Sequence, residues 1–201
     1  MRRRNTANKT GASGPRNQLR IIGGDWRGRK LAFPDRPGLR PTPDRVRETL
    51  FNWLSPVIRQ ARCLDLFAGS GALGFEALSR GAAKVVLVDS QVQVIAGLQQ
   101  NIDLLQAAER VRLQQCEALE YLQALKDCFD LIFLDPPYHQ GLLQPCIDRL
   151  YEQEALSRQG YLYFEANRDE TLPCLPAAWA IHRQKSAGQI AYYLVQYADQ
   201  G

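Results

Sequence analysis

Beyond residue 60, short apolar runs alternate with longer segments in which apolar residues recur at every third or fourth position. Such runs are typical of buried strands, and the longer segments are typical of helices. Strands separated by helices pair in parallel through right-handed crossovers, so we expect an α/β fold in which helices cover both faces of a mostly parallel sheet. The predicted strands are 63–67, 84–88, 111–115, 131–134 and 161–165, and the predicted helices are 72–79, 93–105, 118–125 and 143–152.

The pattern changes towards the C-terminus. Residues 179–185 and 189–196 are strand-like runs separated only by Ser186-Ala187-Gly188, which leaves no room for a helix. Strands joined by so short a loop pair in the antiparallel sense. We therefore expect an antiparallel hairpin at one edge of the sheet.

The N-terminal part of the chain predicts a hairpin of its own. Residues 19–22 and 26–31 have strand character and lie on either side of Gly23-Gly24, a turn signal. A Pro-rich loop follows over 36–44. This segment therefore reads as a small β-hairpin and a rigid connection.

A helix is expected after this loop. Thr42 precedes a proline and an acid, which favours Thr42 as the N-cap. Arg45, Arg47 and Glu48 are expected on the polar side of the helix. Its apolar face is predicted to contain Val46, Leu50, Trp53, Leu54 and Val57.

Basic residues are concentrated at the N-terminus. The net charge of +4 divides into +10 for residues 1–47, which hold thirteen Lys or Arg and three Asp, and −6 for the remainder. This asymmetry is expected of a protein that binds a polyanion, although a solvated basic tail would have the same composition. Arginines interleaved with an indole suit RNA, since both stack on bases and the charge meets phosphate. The predicted RNA contacts in the hairpin are Arg20, Trp26, Arg27, Arg29 and Lys30.

Composition limits the remaining possibilities. With 201 residues and 45% hydrophobic content, the chain has the size of one ordinary domain with a packed core. There is no signal-peptide or membrane segment in its apolar pattern, so we expect a cytoplasmic protein. Five scattered cysteines without a C-x-x-C pair, and two lone histidines, favour neither a disulfide framework nor a metal site. We expect a flexible basic arm over 1–18, an RNA-facing extension over 19–58 and the main domain over 59–201.

A glycine-rich loop follows the first predicted strand of the main domain. Gly69, Gly71 and Gly74 form G-x-G-x-x-G at the start of a helix, and Asp89 ends the next strand, where a carboxylate could hold ribose hydroxyls. The motif fits NAD, FAD or S-adenosylmethionine (SAM), and a structural turn is the simplest alternative. Asp65 favours SAM, because a carboxylate at this loop attracts an amino group and repels a pyrophosphate.

The run Leu131 to Leu134 ends at Asp135-Pro136-Pro137-Tyr138. Prolines stop the strand and leave Asp135 and Tyr138 at its carboxyl end, where ligands bind in open α/β sheets. The carboxylate can accept a hydrogen bond from an exocyclic amine, the Pro136 carbonyl can accept another, and the ring can stack on a base. The alternative is a strand that ends in a Pro-Pro turn with an exposed Tyr. Beside a nucleoside-binding loop, an amine-binding carboxylate favours methyl transfer over hydride transfer.

These motifs together resemble a class I SAM-dependent methyltransferase of the group that methylates amino groups. More narrowly, they resemble the bacterial RsmD family, which methylates the N2 amine of a guanine in 16S ribosomal RNA. The likeness covers roughly residues 19–197 in the family's order. It is carried by Arg20-Ile21-Ile22-Gly23-Gly24, Trp26-Arg27-Gly28-Arg29, Arg40-Pro41-Thr42, Arg45-Val46-Arg47-Glu48, Phe67-Ala68-Gly69-Ser70-Gly71 and Asp135-Pro136-Pro137-Tyr138.

The resemblance implies a Rossmann-like, seven-stranded sheet with an antiparallel last strand, SAM as methyl donor and no metal. It implies a small-subunit assembly particle as the RNA partner, and we expect a monomer. It also assigns roles by position. The methionine side of SAM would be lined by Asp65, Phe67, Gly69, Ser70 and Gly71, its ribose would be bound by Asp89, and its adenine edge would be contacted by Glu117 and Ala118. The catalytic residues would be Asp135, Pro136, Pro137 and Tyr138. The cofactor would be covered, or the RNA contacted, by Thr42 and Arg45.

Three other functions remain open. The first is an adenine-N6 or cytosine-N4 methyltransferase acting on DNA or RNA, because the tetrapeptide does not determine which base is methylated. The same glycine loop serves nicotinamide-dependent oxidoreductases, which is the second. The third is a ribosome-assembly factor whose SAM pocket has lost activity.

Overall fold

A computed structural model describes residues 17–35 and 41–198. Its main sheet has seven strands in the order β5-β4-β3-β6-β7-β9-β8. The pairs from β5 to β7 are parallel, and β9 pairs antiparallel with both of its neighbours. The strands are β3 (Arg62–Asp65), β4 (Lys84–Asp89), β5 (Val111–Gln115), β6 (Phe129–Leu134), β7 (Leu156–Asn167), β8 (Trp179–Ala187) and β9 (Ile190–Tyr197). The predicted α/β sheet and its antiparallel C-terminal hairpin are confirmed.

Helices cover both faces of this sheet, as predicted. One hydrophobic cluster joins the sheet to α1, α2 and α3, and a second joins the opposite face to α4 and α5. The helices are α1 (Asp44–Leu54), α2 (Ala72–Ser79), α3 (Val92–Leu105), α4 (Ala118–Gln123) and α5 (Leu143–Glu152), with a short 3₁₀ turn at Ala108–Arg110. α2 is buried along its whole length, which explains its almost continuous apolar sequence.

The N-terminal hairpin exists, but its second strand differs from the prediction. β1 (Asn17–Arg20) pairs with β2 (Lys30–Phe33), so the expected strand over 26–31 is wrong. Residues 23–28 form the turn instead, because Gly24 and Gly28 adopt left-handed φ angles of 71° and 86° that end extended backbone. Asn17 and Gln18 belong to β1, so the predicted flexible arm over 1–18 is wrong at these two residues. Residues 1–16, and residues 36–40 of the Pro-rich loop, lie outside the described part.

The position of Arg47 on α1 differs from the prediction. Its side chain is 0% exposed, not on the polar face as predicted. The guanidinium donates to Glu76 at 3.3 Å, to Asp44 at 2.6 Å and to the carbonyl of Arg20 at 2.9 Å. Glu76 on α2 in turn accepts the backbone N–H of Ile22. Because a buried charge is tolerated only when paired and hydrogen-bonded, this network ties the hairpin, α1 and α2 into one unit.

Within residues 17–35 and 41–198, no helix is long and apolar enough to cross a membrane.

Candidate active site

The residues predicted to bind the cofactor and to act in catalysis converge at the carboxyl ends of adjacent strands. Asp65 pairs with Phe133 across β3 and β6, so Asp135 follows two residues beyond that level. Leu134 pairs with Phe164 across β6 and β7, so the residue after Phe164, which is Glu165, is level with Asp135. Asp89 ends β4 on the other side of β3. Four carboxylates therefore occupy one rim of the sheet, where open α/β proteins bind ligands.

The glycine loop has the backbone geometry that the sequence motif predicts. Gly69 and Gly71 adopt φ angles of 51° and 78°, in the left-handed region that favours glycine. A Cβ on Gly71 would lie 2.4 Å from the Phe75 ring, so a side chain there would force that ring to move. The N–H of Gly69 donates to Asp89 Oδ2 at 3.0 Å. The loop is thus held between the ends of β3 and β4.

Asp65 lies beneath this loop, on the β3 side. Its side chain is buried, and its Oδ2 accepts the N–H of Gly74 at 3.0 Å. Burial raises the pKa of Asp65 to about 7, because desolvation outweighs the opposing effect of the Gly74 hydrogen bond. A cation or amine at the loop would lower that pKa again.

The other residues expected at the cofactor lie on the same rim. Phe67 is half-buried against the α4 side of the core, and Ser70 is buried in the loop. Glu117 is exposed at the N-terminal end of α4, and Ala118 is buried as its first residue. These placements bring the residues assigned to SAM to the ends of β3, β4 and β5. Their contacts with a cofactor remain predictions.

Asp135 and Tyr138 lie beside this loop. Asp135 is half-buried after β6, Pro136 is buried, and Pro137 is exposed. Tyr138 is 38% exposed, and its hydroxyl donates to Glu165 Oε2 at 3.4 Å. Burial raises the pKa of Asp135 well above its usual range, and the charge of Glu165 raises it further.

Glu165 is the site residue that the sequence analysis missed. It is 3% exposed on β7, and its Oε1 accepts the Tyr163 hydroxyl at 2.7 Å. The nearby Thr42 hydroxyl favours the charged form of both Glu165 and Asp135 and so opposes the rise in the pKa of each. Burial also raises the pKa of Glu165. A carboxylate at the end of a buried strand was the signal that singled out Asp135, and the same signal was present at Glu165.

Thr42 does not cap α1. α1 has Pro43 at its N-cap position with no side-chain cap hydrogen bond, so the predicted Thr42 cap is wrong. A capping hydroxyl would accept from the helix N–H groups. The Thr42 hydroxyl instead lies close to the Asp135 and Glu165 carboxyl groups, and donation of its one proton to either lowers the cost of burying that carboxylate.

The rim fits SAM better than it fits a dinucleotide. Its carboxylates attract the amino and sulfonium groups of SAM and repel the pyrophosphate of NAD or FAD. Asp89 keeps the position after β4 from which a carboxylate reaches ribose hydroxyls. In the described residues, no group of three or more His, Cys, Asp or Glu could hold a metal ion.

The residues predicted to contact RNA fall into separate places. Arg45 is exposed in the first turn of α1, close in sequence to Thr42, and Arg20 lies 3.8 Å from Asp44 in the same turn. Lys30 is the strand partner of Arg20. Arg29 donates to the Leu104 carbonyl at the end of α3. These four basic side chains are exposed and surround the hairpin.

Trp26 and Arg27 lie in the hairpin turn, at the other end of α2 from the glycine loop. The N–H of Trp26 donates to the Ser79 hydroxyl, and Arg110 lies over its ring at 5.6 Å. Trp26 also packs against the core. The structure therefore uses much of the indole for packing, whereas Arg27 is exposed.

Comparison with known proteins agrees with this architecture. The family described as Conserved hypothetical protein 95 matches residues 19–196. The chain is 50% identical over 184 residues to ribosomal RNA small subunit methyltransferase D of Escherichia coli K12, covering 92% of each chain. It is 42% identical to the protein of that name from Haemophilus influenzae, covering 90% of this chain and 95% of the relative. The solved structure of the putative methyltransferase yhhF from Escherichia coli superimposes with a TM-score of 0.84 at 46% identity, covering 92% of this chain and all of that one.

Proposed function

Because this chain belongs to the RsmD family of ribosomal RNA methyltransferases, we propose that it transfers a methyl group from SAM to the N2 amine of a guanine in 16S ribosomal RNA. We further propose that the substrate is the RNA within a small-subunit assembly particle and that the protein acts as a monomer. The observation that supports this most directly is the position of Asp135 beside the glycine loop, at the ends of neighbouring strands.

The residues proposed to hold SAM are those of the glycine loop with Asp65 and Asp89, together with Phe67, Ser70, Glu117 and Ala118. Bound there, SAM supplies an electrophilic methyl group on a sulfonium centre. Thr42 lies above the rim in contact with Asp135, so it would limit the space between cofactor and base rather than bind the adenosine directly.

The chemical difficulty lies in the acceptor. An exocyclic amine is a poor nucleophile because its lone pair is delocalised into the ring. Asp135 and the Pro136 carbonyl would each accept a hydrogen bond from one of the two amine hydrogens. These two hydrogen bonds would favour a pyramidal nitrogen and localise its lone pair. As the nitrogen–carbon bond formed and the methyl–sulfur bond broke, with its electron pair leaving on sulfur, positive charge would grow on nitrogen and the Asp135 carboxylate would stabilise it. Asp135 then takes the proton that the product amine releases.

Tyr138 would hold the base. Tyr138 is partly exposed, and its hydroxyl reaches Glu165 only at 3.4 Å, so the ring is free to adjust as a base stacks on it. A base in a duplex cannot reach this rim, so the target must be unstacked or already single-stranded.

The decisive experiment uses labelled SAM and small-subunit particles from cells that lack the protein. Nucleoside analysis should then show N2-methylguanine, and mapping should locate one modified position in 16S ribosomal RNA. Appearance of N6-methyladenine or N4-methylcytosine without N2-methylguanine would overturn the choice of base.

Calorimetry tests the cofactor separately. We expect a saturable binding isotherm with SAM and none with NADH, because the carboxylates of the rim repel a pyrophosphate. Tight NADH binding without a response to SAM would refute methyl transfer.

A further inference from the structure

The carboxylate of Glu165 has no role in the reaction as described so far. It lies on the same face of the sheet as Asp135, since Tyr163, two residues earlier, faces the α1 side of the core, as does Phe133, two residues before Asp135. Register places it level with Asp135 on the neighbouring strand. Strands in a sheet are about 4.8 Å apart, so the two carboxylates are immediate neighbours.

The two tyrosine hydroxyls bind Glu165 with unequal strength. Oε1 accepts the Tyr163 hydroxyl at 2.7 Å, a strong hydrogen bond, whereas the Tyr138 hydroxyl reaches Oε2 only at 3.4 Å. Hydroxyl donors usually approach to about 2.7 or 2.8 Å, so the second bond is weak. A better donor from a ligand can therefore replace it at Oε2. The bond from Tyr163 meanwhile keeps the carboxylate in place.

Each nucleobase presents a different edge to such a pair of acceptors. Guanine carries two neighbouring donors, the N1–H and the N2 amine, whereas adenine and cytosine carry one amine beside an unprotonated ring nitrogen. Two adjacent carboxylates match two donors, and an acceptor facing an acceptor is repelled. The arrangement of Asp135 and Glu165 therefore discriminates between bases.

We propose that Glu165 accepts the N1–H of the target guanine while Asp135 accepts from its N2 amine, so that Glu165 is the residue that selects guanine. This inference rests on the proposed function, and it supplies the base preference that the tetrapeptide alone does not. The Thr42 hydroxyl lies close to both carboxyl groups and can donate its one proton to either.

The test replaces the guanine at the mapped position by 2-aminopurine in reassembled particles. This base keeps the 2-amine but has an unprotonated N1, so Glu165 faces a lone pair instead of a donor. The wild-type enzyme should methylate guanine far better than 2-aminopurine. In Glu165→Gln the amide can donate to N1, so the ratio of the two rates should fall by at least about tenfold.

Tyr163→Phe is the matched control, since it removes a hydrogen bond to Glu165 but keeps the carboxylate. Its rate ratio should stay as in the wild type, even if both rates fall. Equal losses on both bases in Glu165→Gln, or an unchanged ratio, would overturn the inference while leaving the proposed function intact. Methylation of adenine instead of guanine by the wild-type enzyme would overturn both. Thermal unfolding and SAM binding of each variant verify that it is folded.

Discussion

The two halves of the rim proposed as the active site, one for the cofactor and one for the methyl acceptor, hold their carboxylates in different ways. On the cofactor half, Asp65 and Asp89 accept backbone N–H groups of the glycine loop. On the acceptor half, Asp135 and Glu165 are held by hydroxyl groups of Thr42, Tyr138 and Tyr163. Backbone donors fix a loop and its ligand site, whereas hydroxyl groups rotate. The acceptor half can therefore exchange its internal hydrogen bonds for those of a substrate.

This difference predicts that substitutions in the two halves change different measurable properties. Damage to the cofactor half should change SAM affinity and the stability of the fold, because the loop backbone is part of both. Damage to the acceptor half should change turnover and leave SAM affinity nearly unaltered. The predictions below test this separation.

The largest effect is expected from Asp135→Ala. Transfer should fall by at least about 10³-fold, because the variant loses the hydrogen-bond acceptor, the charge stabilisation and the proton acceptor together. SAM affinity should change by less than about threefold, since Asp135 lies outside the glycine loop. Single-turnover rates and calorimetry measure the two quantities.

Asp130→Ala is the matched control, because Asp130 lies near the other end of β6 and binds Arg62. It should leave turnover as in the wild type. Unchanged turnover in Asp135→Ala would refute its catalytic role, and a parallel loss of SAM binding would remove the distinction between the halves.

Asp65→Asn tests the cofactor half through pH. The pKa of Asp65 is raised from the ordinary value of 3.8 to about 7 by burial, so the folded state binds the proton more tightly than the unfolded state. Its contribution to stability is complete below about pH 4 and is lost as pH rises through about 7.

The neutral amide cannot ionise and therefore avoids this loss. Without SAM, the difference between the free energies of unfolding of the variant and the wild type should shift in favour of the variant by up to about 4 kcal/mol between pH 4 and pH 8. Urea unfolding at several pH values measures the difference. Parallel curves would show that Asp65 is ionised in the folded protein throughout this range.

Gly71→Ala should damage stability and cofactor binding together. The Cβ would meet the Phe75 ring at 2.4 Å, and the backbone is left-handed, so a loss of about 3 kcal/mol is expected. Gly28→Ala provides the comparison, because φ is +86° but no atom lies within 4 Å of the new Cβ. It should cost about 1 kcal/mol and leave SAM affinity unaltered. Equal effects of the two substitutions would show that backbone strain alone matters at Gly71.

The same difference explains what could be predicted from the sequence. The cofactor half is built within one stretch, from Asp65 to Asp89, by strand, loop and helix signals that are local. The acceptor half joins Thr42, Asp135 and Glu165, which are far apart in the chain. Only Asp135 has a distinctive sequence context, the two prolines that follow it.

Arg47 is a second example of a position that could not be predicted from the sequence. Helical periodicity placed this residue on the polar face, because a charged side chain beside Arg45 and Glu48 favours a solvated surface. It is buried because the hairpin and α2 cover that face and Glu76 supplies the opposite charge. Such burial depends on tertiary packing between segments and has no local signal.

The smallest effect concerns RNA association. Arg45→Gln should reduce the slope of log affinity against log salt by about 0.7 to 0.9, the amount expected for one phosphate contact. Lys84→Gln is the matched control, because Lys84 is exposed at the start of β4, on the rim opposite to the site. Its slope should equal that of the wild type.

The hairpin turn and the adjoining start of β2 are tested together, since the turn lies at the far end of α2 from the glycine loop. The double variant Arg27→Gln in the turn and Lys30→Gln at the start of β2 should reduce the salt slope by about twice the change for Arg45→Gln and leave the rate of single-turnover transfer unaltered. Both side chains are exposed, so neither change disturbs the core. An unaltered slope would mean that this turn attaches the hairpin to α2 through Trp26 and contacts no RNA, and that association depends on the α1 end of the extension, where Arg45 lies close to the acceptor half.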